Sequence, residues 1–252
     1  MRAWQKVLGI PMALLVALGL GAVALADGRP IRILFMHHST GGNLIQQGGV
    51  REGLTALGYE FWDHGYNEEG LSGPDGSPTG TNFAVPDDNT NPDGWAAIFA
   101  QPVTDPPTNT LSTMLGYDVI LFKSCFPTSD ITDEEMLVDY ERYYLSIRDV
   151  IDRHPDKLFV AFTSPPLVPG ATSLENAARA KRWAAYLASD EYGKGHPNLA
   201  VFDFFSLLAD QHGYLQAEYR SDESDSHPND LANRTIGPVL VRFVRDAIEG
   251  WK

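Results

Sequence analysis

Residues 31–44, IRILFMHHSTGGNL, decide how the chain is read. An apolar run ends abruptly in two histidines, a serine, a threonine and two glycines. Residues 31–37 are rich in Ile, Leu and Phe and alternate only weakly, the pattern of a strand buried on both faces. Residues 41–58, GGNLIQQGGVREGLTALG, follow with Leu44, Ile45, Leu54 and Leu57 as the apolar face of a helix, interrupted by Gly48, Gly49 and Gly53. Ser39 therefore falls at the carboxyl end of a first strand, just ahead of a helix.

Downstream the same alternation repeats. YEFWDHGYN (59–67) reads as a second strand running into a loop. Residues 67–110 are dense in Gly, Pro, Asn and Asp and read as a long irregular insertion. YDVILFKSCF (117–126) supplies a third strand, from Tyr117 to about Lys123. The next segment has Thr132 and Glu135 placed as a capping box. Met136, Leu137, Tyr140, Tyr144, Ile147 and Ile151 then keep helical spacing up to Pro155. KLFVAFTSPP (157–166) is a fourth strand, Ser173 to Ala188 an amphipathic helix, NLAVFDFF (198–205) a fifth strand, and Pro238 to Ile248 a closing helix. Strands that alternate with helices predict an α/β fold: a three-layer sandwich with a mostly parallel five-stranded sheet and helices on both faces, flavodoxin-like. Ligands of such sheets bind outside the carboxyl ends of the strands, which is where Ser39 lies.

The first 26 residues read as a signal peptide. Arg2 and Lys6 are basic, Val7 to Val23 is apolar, and Ala24–Ala26 offers small residues for cleavage. The expectation is an exported protein, periplasmic or extracellular, of about 226 residues in one domain (27–252). The leader holds two of the chain's cations and no acid, so the net charge of −14 would become −16 on cleavage. Such a balance repels phosphates and disfavours nucleic acid or an anionic membrane as partner. Beyond the leader no run is long and apolar enough to span a bilayer. Cys125 is the single cysteine, so no intrachain disulfide is expected.

A serine hydroxyl needs a base to become a nucleophile, and the base needs an orienting group. ESDSHPND (223–230) offers both: Asp225 lies two residues before His227, close enough in a turn to hold Nδ1–H and leave Nε2 to take a proton. Pro228 restricts the backbone of His227 to extended conformations. Taken alone, such a D-x-H pattern is more often a solvated loop.

With a serine after the first strand and D-x-H before the last helix, the chain resembles the SGNH (GDSL-like) hydrolases. The resemblance implies an ester hydrolase that works without cofactor or metal. Ser39 would be the nucleophile, His227 the general base and Asp225 the orienting acid; Asp222 and Asp230 stand as alternatives to Asp225. The family's second block, a glycine in the loop after the second strand, maps onto NEEGLSG, with Gly70 and Gly73 as candidates and Gly73 preferred. Its N–H would join that of Ser39 in an oxyanion hole. Two blocks depart from the family pattern: G-D-S is replaced by His37-His38-Ser39, and the asparagine of the third block is missing from FKSCFPTSD. Ser124, Lys123 or Thr128 are the groups at hand to replace it, and Ser124 is taken as the third donor. The implied substrate is a small acyl ester, with carbohydrate O-acetyl groups one class of it. The competing function is a binding protein on the same fold that has lost the reaction.

Other residues carry plainer readings. His37 and His38 point to opposite faces of a strand and do not grip one metal; His37 reads as a hydrogen-bonded core residue, and His38 and His64 as parts of the pocket rim. Cys125 reads as a small buried hydrophobe. Asp87, Asn89, Asn91 and Asp93 alternate as calcium ligands do, but Ile98 stands where an EF-hand has its bidentate glutamate, and turn chemistry explains the run.

Overall fold

The computed structural model describes residues 28–66, 70–87 and 90–251; the expected signal peptide lies outside them. The elements, in chain order, are β1 (Arg32–His37), α1 (Ser39–Gln46), α2 (Val50–Ala56), β2 (Glu60–Gly65), β3 (Gly70–Ser72), α3 (Pro92–Phe99) and α4 (Thr110–Met114). They continue with β4 (Val119–Phe122), α5 (Glu134–Ile151), β5 (Leu158–Phe162), α6 (Leu174–Leu187), α7 (Asp190–Gly193), β6 (Leu199–Phe202), α8 (Phe204–Leu208) and α9 (Asp230–Trp251).

One sheet in the order β3-β2-β1-β4-β5-β6 forms the middle layer. The five expected strands are present and parallel to one another. The sixth, β3, is a short antiparallel edge paired to β2, with Gly65 opposite Gly70. Pleating sends alternate residues of each strand to opposite faces. Ile33 and Phe35 of β1 join one core with α1, α2 and α9, whereas Leu34 and Met36 join the other with α3, α5 and α6. Each fully buried Leu or Phe here contributes roughly 1.5–3 kcal/mol by leaving water. The chain reverses its direction of travel between β1 and β4, so a crevice opens beyond the carboxyl ends of those two strands. Among the described residues no helix is long and apolar enough to cross a membrane.

Several elements depart from expectation. The segment 67–110 is not wholly irregular, because it holds β3, α3 and α4. Trp95 of that region and Tyr66 just ahead of it are fully buried and meet edge-on at 6.4 Å between ring centres, so they anchor the segment in the core. The single helix expected over 41–58 is two helices, broken where Gly49 takes the left-handed conformation (φ 65°). At the start of α5 the cap is Asp133, whose side chain accepts the Met136 N–H at 2.8 Å, one residue on from the expected Thr132. The last helix begins at Asp230, eight residues before the proline taken as its start. Pro238 sits inside it at an exposed position, as does Arg234, whose carbonyl loses its helical donor there.

Glycines let α9 lie against the bend between α1 and α2. A Cβ on Gly48 would meet the Asn233 carbonyl at 2.7 Å, and one on Gly237 would overlap the Gly48 backbone. Beside this contact the Asn233 amide donates to the Gln47 side chain at 2.7 Å and to the Pro228 carbonyl at 2.9 Å.

Candidate active site

Ser39 opens α1 immediately after β1, with the extended residue His38 as its N-cap. Its hydroxyl projects into the crevice between β1 and β4. His227 arrives from the other end of the chain, on the loop ahead of α9. The two meet: Ser39 Oγ lies 2.9 Å from His227 Nε2. Behind the ring, Asp225 Oδ1 lies 2.6 Å from His227 Nδ1 and also accepts the His227 backbone N–H at 2.9 Å. An ionised carboxylate only accepts, so the ring hydrogen is on Nδ1 and Nε2 accepts from the Ser39 hydroxyl. Burial pushes the Asp225 carboxyl up, but the hydrogen bonds from the His227 N–H and ring outweigh it and hold the group below its ordinary range.

The loop that presents this pair is pinned on several sides. Ser226 Oγ accepts the Val168 N–H at 3.1 Å. The Asn229 amide donates to the Glu218 and Arg220 carbonyls at 2.9 and 3.0 Å, and its oxygen accepts the Ala232 N–H at 3.1 Å in the first turn of α9. Phe126 stands edge-on to the imidazole, 4.8 Å between centres. The two alternative acids are engaged elsewhere. Asp222 takes the N–H groups of Ser224 and Asp225 at 2.7 and 2.8 Å and so builds the turn, while Asp230 pairs with Arg234.

The oxyanion donors require correction. The Ser39 N–H, in the first turn of α1, has no acceptor among the described residues. Gly73 does not serve as expected: its N–H closes a turn onto the Ser77 carbonyl at 2.9 Å, and its carbonyl accepts from Arg51 at 2.6 Å. The Ser124 hydroxyl is likewise spent, donating to the Thr90 carbonyl at 2.5 Å on the far side of the backbone. Thr128 is hydrogen-bonded to the Cys125 carbonyl and to Ser164, both at 2.8 Å. Lys123 is completely buried, and its Nζ makes no hydrogen bond among the described residues. Of the three preferred donors, Ser39, Gly73 and Ser124, the Ser39 N–H is the one left unspent.

Next to Ser39 lies a cavity of about 430 Å³ lined by His37, His38, Arg51, Asp63 and Asp75 among others. Its floor is a buried polar network. His37 Nε2 is 3.0 Å from Asp63 Oδ2, and Asp63 Oδ1 pairs with Arg51, which also donates to the Phe61 carbonyl at 3.1 Å. Burial alone would raise the Asp63 carboxyl; His37 and then Arg51 bring it below its ordinary value instead. His37 is thus the hydrogen-bonded core residue its sequence position implied. Sequence reasoning did not single out Arg51 or Asp63. The signal was an aspartate in the middle of a strand otherwise rich in aromatics, a position that demands a partner.

His64 is fully buried, 2.8 Å from Asn82 Oδ1 and stacked on Phe83, so it belongs to the interior rather than the rim. Burial lowers it to about 4. No group of three or more His, Cys, Asp or Glu placed to hold a metal occurs among the described residues. In the 87–93 run Asp87 accepts the Thr90 N–H at 2.5 Å, as turn chemistry expects, and residues 88–89 lie outside the described residues.

No protein-family model and no curated protein matches the chain. Solved structures similar to it include a GDSL-like lipase from Bacteroides thetaiotaomicron, at 9% identity and TM-score 0.47, over 86% of this chain and 88% of that one. A family two carbohydrate esterase from Cellvibrio japonicus matches at 14% identity and TM-score 0.44, over 89% of this chain and 63% of that one. The N-terminal part of a Bacteroides fragilis protein, containing a phosphatase domain complexed with Mg, matches at 9% and 0.48, over 86% and 52%. At these levels the likeness carries no activity across to this chain. In a serine after the first strand that faces a D-x-H pair ahead of the last helix, the chain resembles the SGNH (GDSL-like) hydrolases.

Proposed function

We propose that the protein is an exported serine ester hydrolase of SGNH type acting on a small acyl ester. The observation that supports this most is the hydrogen-bonded series Ser39–His227–Asp225, assembled from residues 188 positions apart. Ser39 Oγ attacks the ester carbonyl carbon while His227 Nε2 takes the hydroxyl proton. The imidazolium so formed is stabilised by Asp225. The oxyanion of the tetrahedral intermediate accepts from the Ser39 N–H. As the intermediate collapses, His227 returns the proton to the leaving alcohol. Water, deprotonated by the same imidazole, then releases the acid from the acyl-serine.

The alcohol part of the ester occupies the polar cavity beside Ser39. Its charged and hydroxyl-bearing lining suits a hydrated group such as a carbohydrate O-acetyl ester better than a long acyl chain. Hydrolysis of p-nitrophenyl acetate by wild type and Ser39→Ala tests the reading: wild type turns over and the variant does not. The competing reading, binding without turnover, draws support from the spent Gly73 and Ser124 donors. Equal rates for the two proteins would move the conclusion to it.

A further inference from the structure

Between the start of α3 and the first three turns of α5 lies a second cavity, of about 360 Å³, which shares no lining residue with the one beside Ser39. One wall is Asn91 and Asp93, from the oxygen-rich 87–93 run; the other is the face of α5 that carries Glu135, Asp139 and two tyrosines. The side chains of Asp93 and Glu135 form no ion pair or hydrogen bond among the described residues, whereas Asp139 pairs with Arg142 at 2.8 Å and Asp133 caps α5. Carboxylates gather here for a local reason: Asp93, Asp133 and Glu135 stand at helix N-termini, where the dipole favours them. Two neutral groups have no such reason. Tyr140 is only 5% exposed, with its ring edge-on to Trp183 in the core at 5.7 Å. Its hydroxyl makes no hydrogen bond among the described residues, and it is not sealed off from the cavity that the residue lines. Burial, and after it the charge of Asp93, push this hydroxyl up, so it keeps its proton and its oxygen sits in the field of the carboxylates. Asn91 holds the N-cap position of α3 yet accepts none of that helix's N–H groups, which leaves its amide to the cavity.

Such a lining asks for a cation that donates hydrogen bonds. Calcium needs about six to eight oxygens around one point, and no such convergence of acids occurs among the described residues. The volume suits an organic ligand instead. The rim already holds one organic cation: the Arg142 guanidinium lies over the Tyr143 ring at 5.3 Å while it pairs with Asp139. Free carboxylates on two walls, Asp93 on α3 and Glu135 on α5, match a ligand charged at both ends. The chain's net charge of −14 draws such a ligand in. We propose that this cavity binds an aliphatic polyamine, one ammonium group held by Asp93 and Asn91, another by Glu135 and Asp139, with the Tyr140 hydroxyl oxygen accepting an N–H. The ligand supplies the hydrogen bond that this buried phenol lacks.

The test titrates spermidine into the folded full chain by isothermal titration calorimetry at pH 7 and low salt, where such pairs are least screened. One site per chain is expected. Asp93→Asn and Glu135→Gln each weaken it about threefold to fivefold, as loss of a partly exposed ion pair does. Tyr140→Phe keeps the ring in the core and removes only the acceptor. It weakens binding about fivefold while the urea midpoint of the unliganded chain does not fall. Glu249→Gln removes a charge from α9, on the other side of the sheet, and leaves binding as it was. Absence of one-site binding, an equal loss in Glu249→Gln, or undiminished binding in a folded Tyr140→Phe overturns the proposal. So does a one-site calcium isotherm that disappears in Asp93→Asn, which makes this a metal site. None of it rests on the hydrolase reading: Ser39→Ala binds spermidine as wild type does, and ester hydrolysis without spermidine binding removes this site alone.

Discussion

Loss of Asp63 should be felt strongly in stability, and the structure separates two ways of losing it. Its carboxylate is almost fully enclosed and serves His37 on one oxygen and Arg51 on the other. Asp63→Ala removes both acceptors and leaves the Arg51 charge buried. Breaking such a pair costs about 3–5 kcal/mol. The lower end applies, because Arg51 keeps the Gly73 and Phe61 carbonyls at 2.6 and 3.1 Å. Asp63→Asn is gentler. Its amide oxygen still accepts from Arg51, and its NH₂ donates to His37 Nε2 once the ring hydrogen moves to Nδ1. The His38 carbonyl, 3.1 Å from Nδ1, then accepts that hydrogen. Two charge-assisted bonds become neutral or half-charged ones, a loss of about 1–2 kcal/mol. Urea unfolding at pH 7, analysed by linear extrapolation, should therefore rank wild type above Asn above Ala, with about 1–2 kcal/mol between the variants. The same comparison has a signed pH dependence. The folded-state Asp63 is depressed below its ordinary 3.8, so its charged form stabilises the fold above that pH. The contribution is lost as pH falls from 3.8 through the depressed value. The gap between wild type and Asn should close over that window. Equal stabilities for Asn and Ala at pH 7, or a gap that widens on acidification, would refute the network as drawn.

Three further outcomes follow from the geometry. Ser39→Ala and His227→Ala should each lower kcat for p-nitrophenyl acetate by on the order of 10³–10⁶, with the double variant no slower than the worse single one, since the two act as a unit; multiplicative losses in kinetic assays would argue against a shared proton path. Gly237→Ala should destabilise by about 1–3 kcal/mol through overlap with the Gly48 backbone, read as a lower urea midpoint, despite alanine being the better helix former. Asp133→Ala should cost about 1 kcal/mol in the same assay and Thr132→Ala much less; the reverse order would restore Thr132 as the cap of α5.

The elements legible in the sequence were those with a strong period or a long apolar run. β1, β4 and β5 are buried on both faces, and α5 and α6 carry clean stripes. What stayed hidden depended on tertiary partners. β3 is three residues long and exists because β2 offers it an edge. Pro238 looked like the start of a helix because proline favours the first turn. Only the structure places it eight residues inside the helix, at an exposed position. At the site, Ser39 and the Asp225–His227 pair could be picked out because the chemistry needs those residue types where the topology puts strand ends. The oxyanion donors could not, because a backbone N–H carries no sequence signature, and Gly73 spends its own on a local turn.

The touching glycines of α1–α2 and α9 bear on more than packing. Gly48 lies nine residues after Ser39 and Gly237 ten after His227, each the far end of a lever whose near end carries one of the two groups. With no side chain between them, these arms form calipers closed at their tightest setting, so the span from hydroxyl to imidazole is fixed by bare main chain. Room for a bulkier ester cannot come from spreading the arms without losing the relay. It has to be cut from the opposite wall, around β2, Arg51 and the turn that follows β3, where remodelling would change what enters without touching how the proton moves.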